Sequence, residues 1–199
     1  MASGPEAHFA VFPTAIVACG LAWRREAIIA AQLPEASEAE TRRRIAARAA
    51  STRESEPPAA IREAIAAVTS LLAGARVDLR PIPCDFGEID DLRLRVYQAA
   101  REILAGETCT YGELAARLGD RRLAQAVGQA LGRNPLPIIV PCHRVMGAGG
   151  RLTGFSANGG VETKLRLLAI EGASLGAGPG LFDELPLAVA PRKAAKPLG

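Results

Sequence analysis

The stretch NPLPIIVPCHRV, Asn134 to Val145, decides how the rest of the chain is read. Its apolar run, Leu136 to Val140, reads as a buried strand or extended segment bounded by Pro135 and Pro141. The segment ends by delivering Cys142 and His143. A thiol needs a nearby base or cation to ionise, since a free cysteine of pKa about 8.5 is only about 3% thiolate at pH 7. Cys142, next to one of only two histidines in the chain, is therefore a candidate nucleophile. A small buried hydrophobe is the other reading of a lone cysteine. Adjacent residues on an extended segment point to opposite faces, so a water relay between Cys142 and His143 is easier to build than a direct pair.

Upstream of this stretch the pattern is helical. From Asp90, the residues Leu92, Val96, Ala99, Ala100, Ile103 and Leu104 recur on one face until Gly106. Thr110 is placed to cap YGELAARLG, and a turn at Gly119-Asp120 leads into RRLAQAVGQALG. Two short helices joined this tightly predict a helix-turn-helix, whose second helix usually contacts DNA. Leu123, Val127, Ala130 and Leu131 are expected to face the core, while Ala124 and Gly128 form a side with almost no bulk. Glycine costs a helix roughly 1 kcal/mol against alanine, so Gly128 requires either tight packing or close approach of a partner. Downstream, VETKLRLLAIEG predicts a helix burying Leu165 and Leu168, with Leu167 and Ile170 as further core candidates. Glu171 falls at its end, where a carboxylate opposes the helix dipole; local rules disfavour it there.

The amino-terminal part reads differently. HFAVFPTAIVACG and LAWRREAIIAAQL predict a two-stranded hairpin turning near Ala18-Cys19-Gly20, its second strand closing before Pro34. Ser37, with Glu40 three residues on, opens a charged helix whose Arg42, Arg43, Arg44 and Arg48 read as a solvated face. Pro57-Pro58 opens a second helix, with Ile61, Ile65, Val68, Leu71 and Leu72 at helical spacing and Gly74 as its stop. VDLRPIPCDF is expected to add an edge strand, and GEIDDLR marks a boundary. The expected organisation is α+β: an α/β domain over 1–88, a helix-turn-helix domain over 89–175, and a flexible tail over 176–199, rich in Gly, Ala and Pro.

Composition narrows the classes. A net charge of +3 permits nucleic-acid binding without implying it. Four cysteines at 19, 84, 109 and 142 form no CxxC pair, as expected of a reduced, cytoplasmic protein. No stretch reaches transmembrane length, and MASGPEAHF lacks the basic and apolar regions of a signal peptide. His8, Cys19 and Cys84 have no ligand spacing, so neither metal nor cofactor is expected.

Four motifs follow one another between Arg95 and Gly172: RVYQAAREILAGETCTYGELAARLG, AQAVGQALGRNP, IIVPCHRV and GGVETKLRLLAIEG. Together they resemble the methylated-DNA–protein-cysteine methyltransferases, DNA repair proteins that act on O6-alkylguanine. The resemblance implies a ribonuclease-H-like amino-terminal domain and a winged-helix-like second one. It also implies a monomer that binds duplex DNA in the minor groove, without cofactor. Cys142 would take the alkyl group irreversibly, His143 would act as base through a water, and Glu171 would orient the imidazole. Tyr111 would donate to the leaving purine, and Asn134 would tie the helix-turn-helix to the active-site loop. Thr110, Tyr111, Arg121, Arg122, Ala124, Gln125, Ala126, Gly128 and Arg133 would contact DNA. Pro137, Val145, Phe155 and Ser156 would wall the pocket for the flipped base. The sequence departs from the family at AQAVG, where Gln125 replaces the usual arginine finger; Arg121 or Arg122 could compensate. Two other readings stand beside this one: a non-catalytic lesion sensor, against which Cys142 counts, and a thiol hydrolase acting on acyl substrates.

Overall fold

A computed structural model describes residues 6–51, 53–152, 154–155 and 157–173. Ser156 and the tail from 176 lie outside them.

The amino-terminal sheet has three strands rather than the expected two: β1 (Ala7–Thr14), β2 (Val17–Arg24) and β3 (Ala27–Gln32), all antiparallel in the order β1-β2-β3. The expected turn at Ala18-Cys19-Gly20 is instead the start of β2. The chain reverses at Ala15-Ile16 and again at Arg25-Glu26, with Thr14 opposite Val17 and Arg24 opposite Ala27. Val17 and Arg25 take positive φ, at 93° and 55°, in turns without the glycine or asparagine that usually marks such reversals.

Successive residues of β1 feed opposite faces of this sheet. Phe9 packs with Ala22, Ala30, Ile45 and Ala49 against helix α1 (Glu38–Ala49). Ala10 and Phe12 join Leu21, Trp23 and Ile28 on the other face, against α2 (Ala59–Leu72). Gly20 is where α1 sits closest: a Cβ there would lie 2.9 Å from Ile45 Cβ. The Ser37 side chain caps α1 by accepting from the Glu40 amide, and Pro58 precedes the first turn of α2, both as expected. Arg42, Arg43 and Arg44 pair with Glu38, Glu54 and Glu40 on an exposed face.

The expected edge strand in VDLRPIPCDF is absent. Its prolines leave a single bridge, Cys84 to Ile28, in which Ile28 donates to the Pro83 carbonyl and accepts from the Asp85 amide.

Helix α3 (Asp91–Arg101), capped by Asp90, leads to the two-residue strand β4 (Cys109–Thr110) and then α4 (Tyr111–Arg117). The Thr110 hydroxyl accepts from the Glu113 amide while the Glu113 carboxylate accepts from the Thr110 amide, a complete capping box. A 3-10 turn over Arg121–Leu123 precedes α5 (Ala124–Gly132), so the second helix of the pair begins three residues later than its sequence pattern suggests. Val127, Ala130 and Leu131 are buried as expected, whereas Leu123 is only partly so. The buried Tyr97 hydroxyl donates to the Ala130 carbonyl at 3.0 Å, fastening α3 to α5. Strand β5 (Val145–Met146) runs parallel to β4, and α6 (Gly160–Ile170) closes the described fold. On α6 the buried residues are Lys164, Leu167 and Leu168; the expected Leu165 is only partly covered.

Candidate active site

The segment read as an extended strand is a tight buried loop. Prolines at 135, 137 and 141 remove three amide donors, so no ladder forms and only Pro137 and Val140 bridge. Ile138 occupies φ 77°, a conformation rare for a β-branched residue. Asn134 supplies what a ladder would have supplied. Its side-chain oxygen accepts from the Leu136 amide at 2.9 Å, and its Nδ2 donates to the Val140 carbonyl at 2.8 Å. The same Nδ2 lies 3.4 Å from the Cys142 sulfur.

Cys142, His143 and Arg144 then form one 3-10 turn rather than continuing an extended segment. All three are buried, at 9%, 1% and 5% exposure, and so is Glu171 at 8%. Glu171 caps the far end of α6, and its carboxylate is gripped from two sides. His143 Nε2 lies 2.9 Å from Oε1, while Arg144 donates through Nε to Oε2 at 2.8 Å and through Nη2 to Oε1 at 2.7 Å. Burial by itself would raise the Glu171 pKa. The imidazole and guanidinium reverse that and hold it at about 2. An ionised Glu171 accepts only, so the hydrogen on His143 resides on Nε2 and the Nδ1 lone pair is left to take a proton. Burial, which outweighs Glu171, pushes the His143 pKa down, so the ring is neutral at pH 7. His143 Nδ1 is buried and hydrogen-bonds to no described residue.

Burial also pushes the Cys142 thiol up in pKa, against the lowering effects of the Asn134 amide and the Lys164 ammonium. A base is therefore required before this sulfur becomes a nucleophile.

Cys142 opens into a cleft of about 280 Å³ walled by Tyr111, Gly128, Leu131, Gly132, Gly154 and Phe155. Leu131 and Phe155 supply its larger apolar surfaces, and Tyr111 brings a hydroxyl-bearing ring from the start of α4. A Cβ on Gly128 would meet only the Tyr111 ring, at 3.8 Å, an ordinary contact. Tight packing therefore does not account for this glycine, which stands on the cleft wall.

The structure thus brings together Cys142, His143, Glu171 and Asn134, with Tyr111 and Phe155 on the adjoining cleft. Pro137 and Val145 do not line that cleft. Both are buried, and the Val145 carbonyl accepts from Lys164 Nζ at 2.6 Å. Ser156 is outside the described residues. Arg121, Arg122, Gln125 and Arg133 are exposed at the two ends and the outer face of α5, with Ala124 and Ala126 partly covered beside them. Arg122 is drawn to Asp120 at 3.0 Å. Arg144 and Lys164 are the site residues that the sequence pattern did not single out. Among the described residues no group of three His, Cys, Asp or Glu side chains could hold a metal ion.

Residues 91–173 match the family model described as 6-O-methylguanine DNA methyltransferase, DNA binding domain. A methylated-DNA–protein-cysteine methyltransferase of Methanothermobacter thermautotrophicus is 39% identical over 122 residues, 61% of this chain and 67% of that one. A Mycobacterium tuberculosis protein of the same name is 48% identical over 93 residues, spanning 47% of this chain and 55% of its own length. The solved structure of Mycobacterium tuberculosis OGT in complex with DNA superposes with a TM-score of 0.64 at 33% identity, covering 83% of this chain and 92% of that one. With the first of these relatives matched over two thirds of its length and the DNA-bound structure over nearly all of its own, the chain belongs to the methylated-DNA–protein-cysteine methyltransferase family.

Proposed function

We propose that this chain repairs DNA by moving an alkyl group, a methyl group first of all, from O6 of guanine to the sulfur of Cys142. The carrying observation is the buried chain Arg144, Glu171, His143 beside Cys142 at the floor of an apolar cleft. His143 Nδ1 takes the thiol proton through a water. The sulfur lone pair forms a bond to the alkyl carbon, the carbon–O6 bond breaks, and its electron pair passes into the purine. Tyr111 donates to the purine as that charge develops, and the proton from Cys142 restores neutral guanine. The products are guanine and a thioether, which water does not cleave, so each molecule acts once.

The target atom lies inside a stacked duplex, so the base must leave the stack at a cost of a few kcal/mol. The α4–α5 pair is read as the DNA-contacting unit, with Thr110, Arg121, Arg122, Gln125, Ala126 and Arg133 around the cleft mouth. The slim Ala124–Gly128 side suits close approach in a minor groove. Three antiparallel strands with helices on both faces support the ribonuclease-H-like reading of 1–88. The α4–α5 pair with β4–β5 supports a winged-helix-like reading of 89–175. Among the described residues no helix is long and apolar enough to cross a membrane; a cytoplasmic monomer is the form proposed.

The test is intact mass after incubation with duplex DNA containing O6-methylguanine, for the parent and Cys142→Ala. A gain of one methyl by the parent alone is expected. An unmodified parent with the lesion still in the DNA refutes the proposal.

A further inference from the structure

The outer edge of β1 is covered over only part of its length. Phe9 donates to the Arg53 carbonyl at 3.2 Å and its own carbonyl accepts from the Ser55 amide at 3.0 Å, so residues 53–55 run beside it as a short parallel partner. Hydrogen-bonding direction repeats every second residue along a strand, and Val11 therefore turns its amide and carbonyl to the same edge. No described residue pairs with them, because Glu56-Pro57-Pro58 leads the chain away into α2. Pro13, next along the edge, offers a carbonyl and no amide.

Between this open edge and α2 lies a groove of about 640 Å³, with Val11 and Phe12 on one side and Ile65 and Ala66 on the other. Glu54 and Glu56 line it at the end nearer Phe9. Glu54 is shared with Arg42 at 2.9 Å, whereas Glu56 pairs with no described residue. The groove has no residue in common with the cleft at Cys142. An open strand edge facing a helix is a geometry that binds extended peptides by strand addition.

We propose that this groove is the docking site for residues 187–193 of the same chain, LAVAPRK, added to β1 as an antiparallel strand. Reach permits it. A Cβ on Gly74, at the end of α2, would lie 3.6 Å from the Ile170 carbonyl, so the chain leaves α6 beside that end of α2. Roughly 14 Å of helix separates Gly74 from Ile65, and residues 174–186 span up to about 43 Å when extended. The donors also match. With Val189 opposite Val11, both open groups of Val11 are paired, and the Leu187 amide meets the Pro13 carbonyl. Pro191 then falls opposite Phe9, whose bonds are already made, at a place where a missing amide costs nothing. Arg192 and Lys193 follow directly and arrive at Glu54 and Glu56. Being tethered, the segment is presented to its own groove at a concentration on the order of millimolar, well above that of a second copy.

The test uses the full chain with a photoreactive p-benzoylphenylalanine in place of Ala66, an exposed groove residue on α2, as an equal mixture of 15N-labelled and unlabelled protein. Irradiation is expected to join position 66 to the 187–193 peptide of the same isotopic form. Arg192→Glu combined with Lys193→Glu should lower the yield about two- to fivefold, and adding Glu56→Lys should restore it. Independently, the Val11 amide, followed by NMR, should exchange about tenfold slower or more in the parent than in Val189→Pro. That substitution removes the donor to Val11 and lies outside the described fold, so lost protection is not the mark of a misfolded sheet. A cross-link to the other isotopic form, to a different segment or to nothing overturns the inference. A yield unmoved by the charge reversal, or a Val11 amide that exchanges equally in the parent and Val189→Pro, overturns it as well.

Discussion

The side-chain amide of Asn134 stands 3.4 Å from the sulfur of Cys142 while it also holds the Val140 carbonyl at 2.8 Å. One residue at the end of the helix-turn-helix therefore both shapes the proline-rich loop and stabilises negative charge on the sulfur at its far end.

Replacing it by alanine should show both effects. In Asn134→Ala the buried Leu136 amide loses its side-chain partner, at about 1–3 kcal/mol for a group left unsatisfied, while the Val140 carbonyl keeps the Cys142 amide as a donor. Urea unfolding should report that loss, and Cys142 alkylation by iodoacetamide should slow. Unchanged stability with unchanged thiol reactivity would show that the loop is held by other means.

The carboxylate of Glu171 makes stability depend on pH in a defined direction. Its folded pKa of about 2 lies below the ordinary 4.5, so its contribution is present above that ordinary value and is lost as pH falls from about 4.5 toward 2. His143 acts with the same sign: buried neutral, with its pKa depressed, it loses stability for the fold as pH falls below its ordinary 6.5. In Glu171→Gln the acid limb near pH 3–4 should flatten and overall stability should fall, because Arg144 keeps its buried charge without a counterion. Urea midpoints measured across pH 3–8 for both proteins check this.

Gly128 separates folding from binding. Gly128→Ala adds a methyl that meets only the Tyr111 ring at 3.8 Å, so the helix should gain up to about 1 kcal/mol. The same methyl narrows the cleft mouth and should weaken capture of an extruded base. A higher Tm combined with a higher Kd for lesion duplex is the expected pair of results. A lower Tm would instead show that the glycine is needed for packing.

Gln125 is exposed on α5, where the family pattern places an arginine. Gln125→Arg should tighten duplex binding, steepen its salt dependence by about one phosphate contact, and speed transfer. Equal affinity and rate in the two proteins would show that Arg121 or Arg122 already does this work.

What the sequence disclosed and what it concealed follow from the range of the forces involved. Ser37, Pro58, Asp90 and Thr110 act within one helical turn, and each caps or opens a helix as read. Cys142, His143, Asn134 and Glu171 were visible through their motifs, although only folding brings Glu171 back to the histidine. The three-stranded sheet reads as two strands in the sequence because its reversals, at Ala15-Ile16 and Arg25-Glu26, use no glycine, asparagine or proline. Leu136–Val140 has a strand's composition, but its flanking prolines remove the donors a strand needs. The burial of Lys164 and Arg144 is not legible in the sequence, where a long cationic side chain reads as surface by default. The one local hint for Lys164 was its placement on the same side of the helix as Leu168 and Glu171. Burying Leu167 rather than Leu165 likewise followed the direction from which the core approached α6, which periodicity does not specify.

One contact ties the two halves of the molecule at the point of chemistry. The Ala31 amide, on the outer edge of β3, donates to the Pro135 carbonyl at 2.9 Å, beside the asparagine that governs the thiol. The amino-terminal sheet therefore serves as a splint for the reactive loop. A chimera that grafts the carboxy-terminal half onto a foreign sheet inherits every reactive side chain and still lacks that brace, unless the new scaffold presents an amide at the same spot.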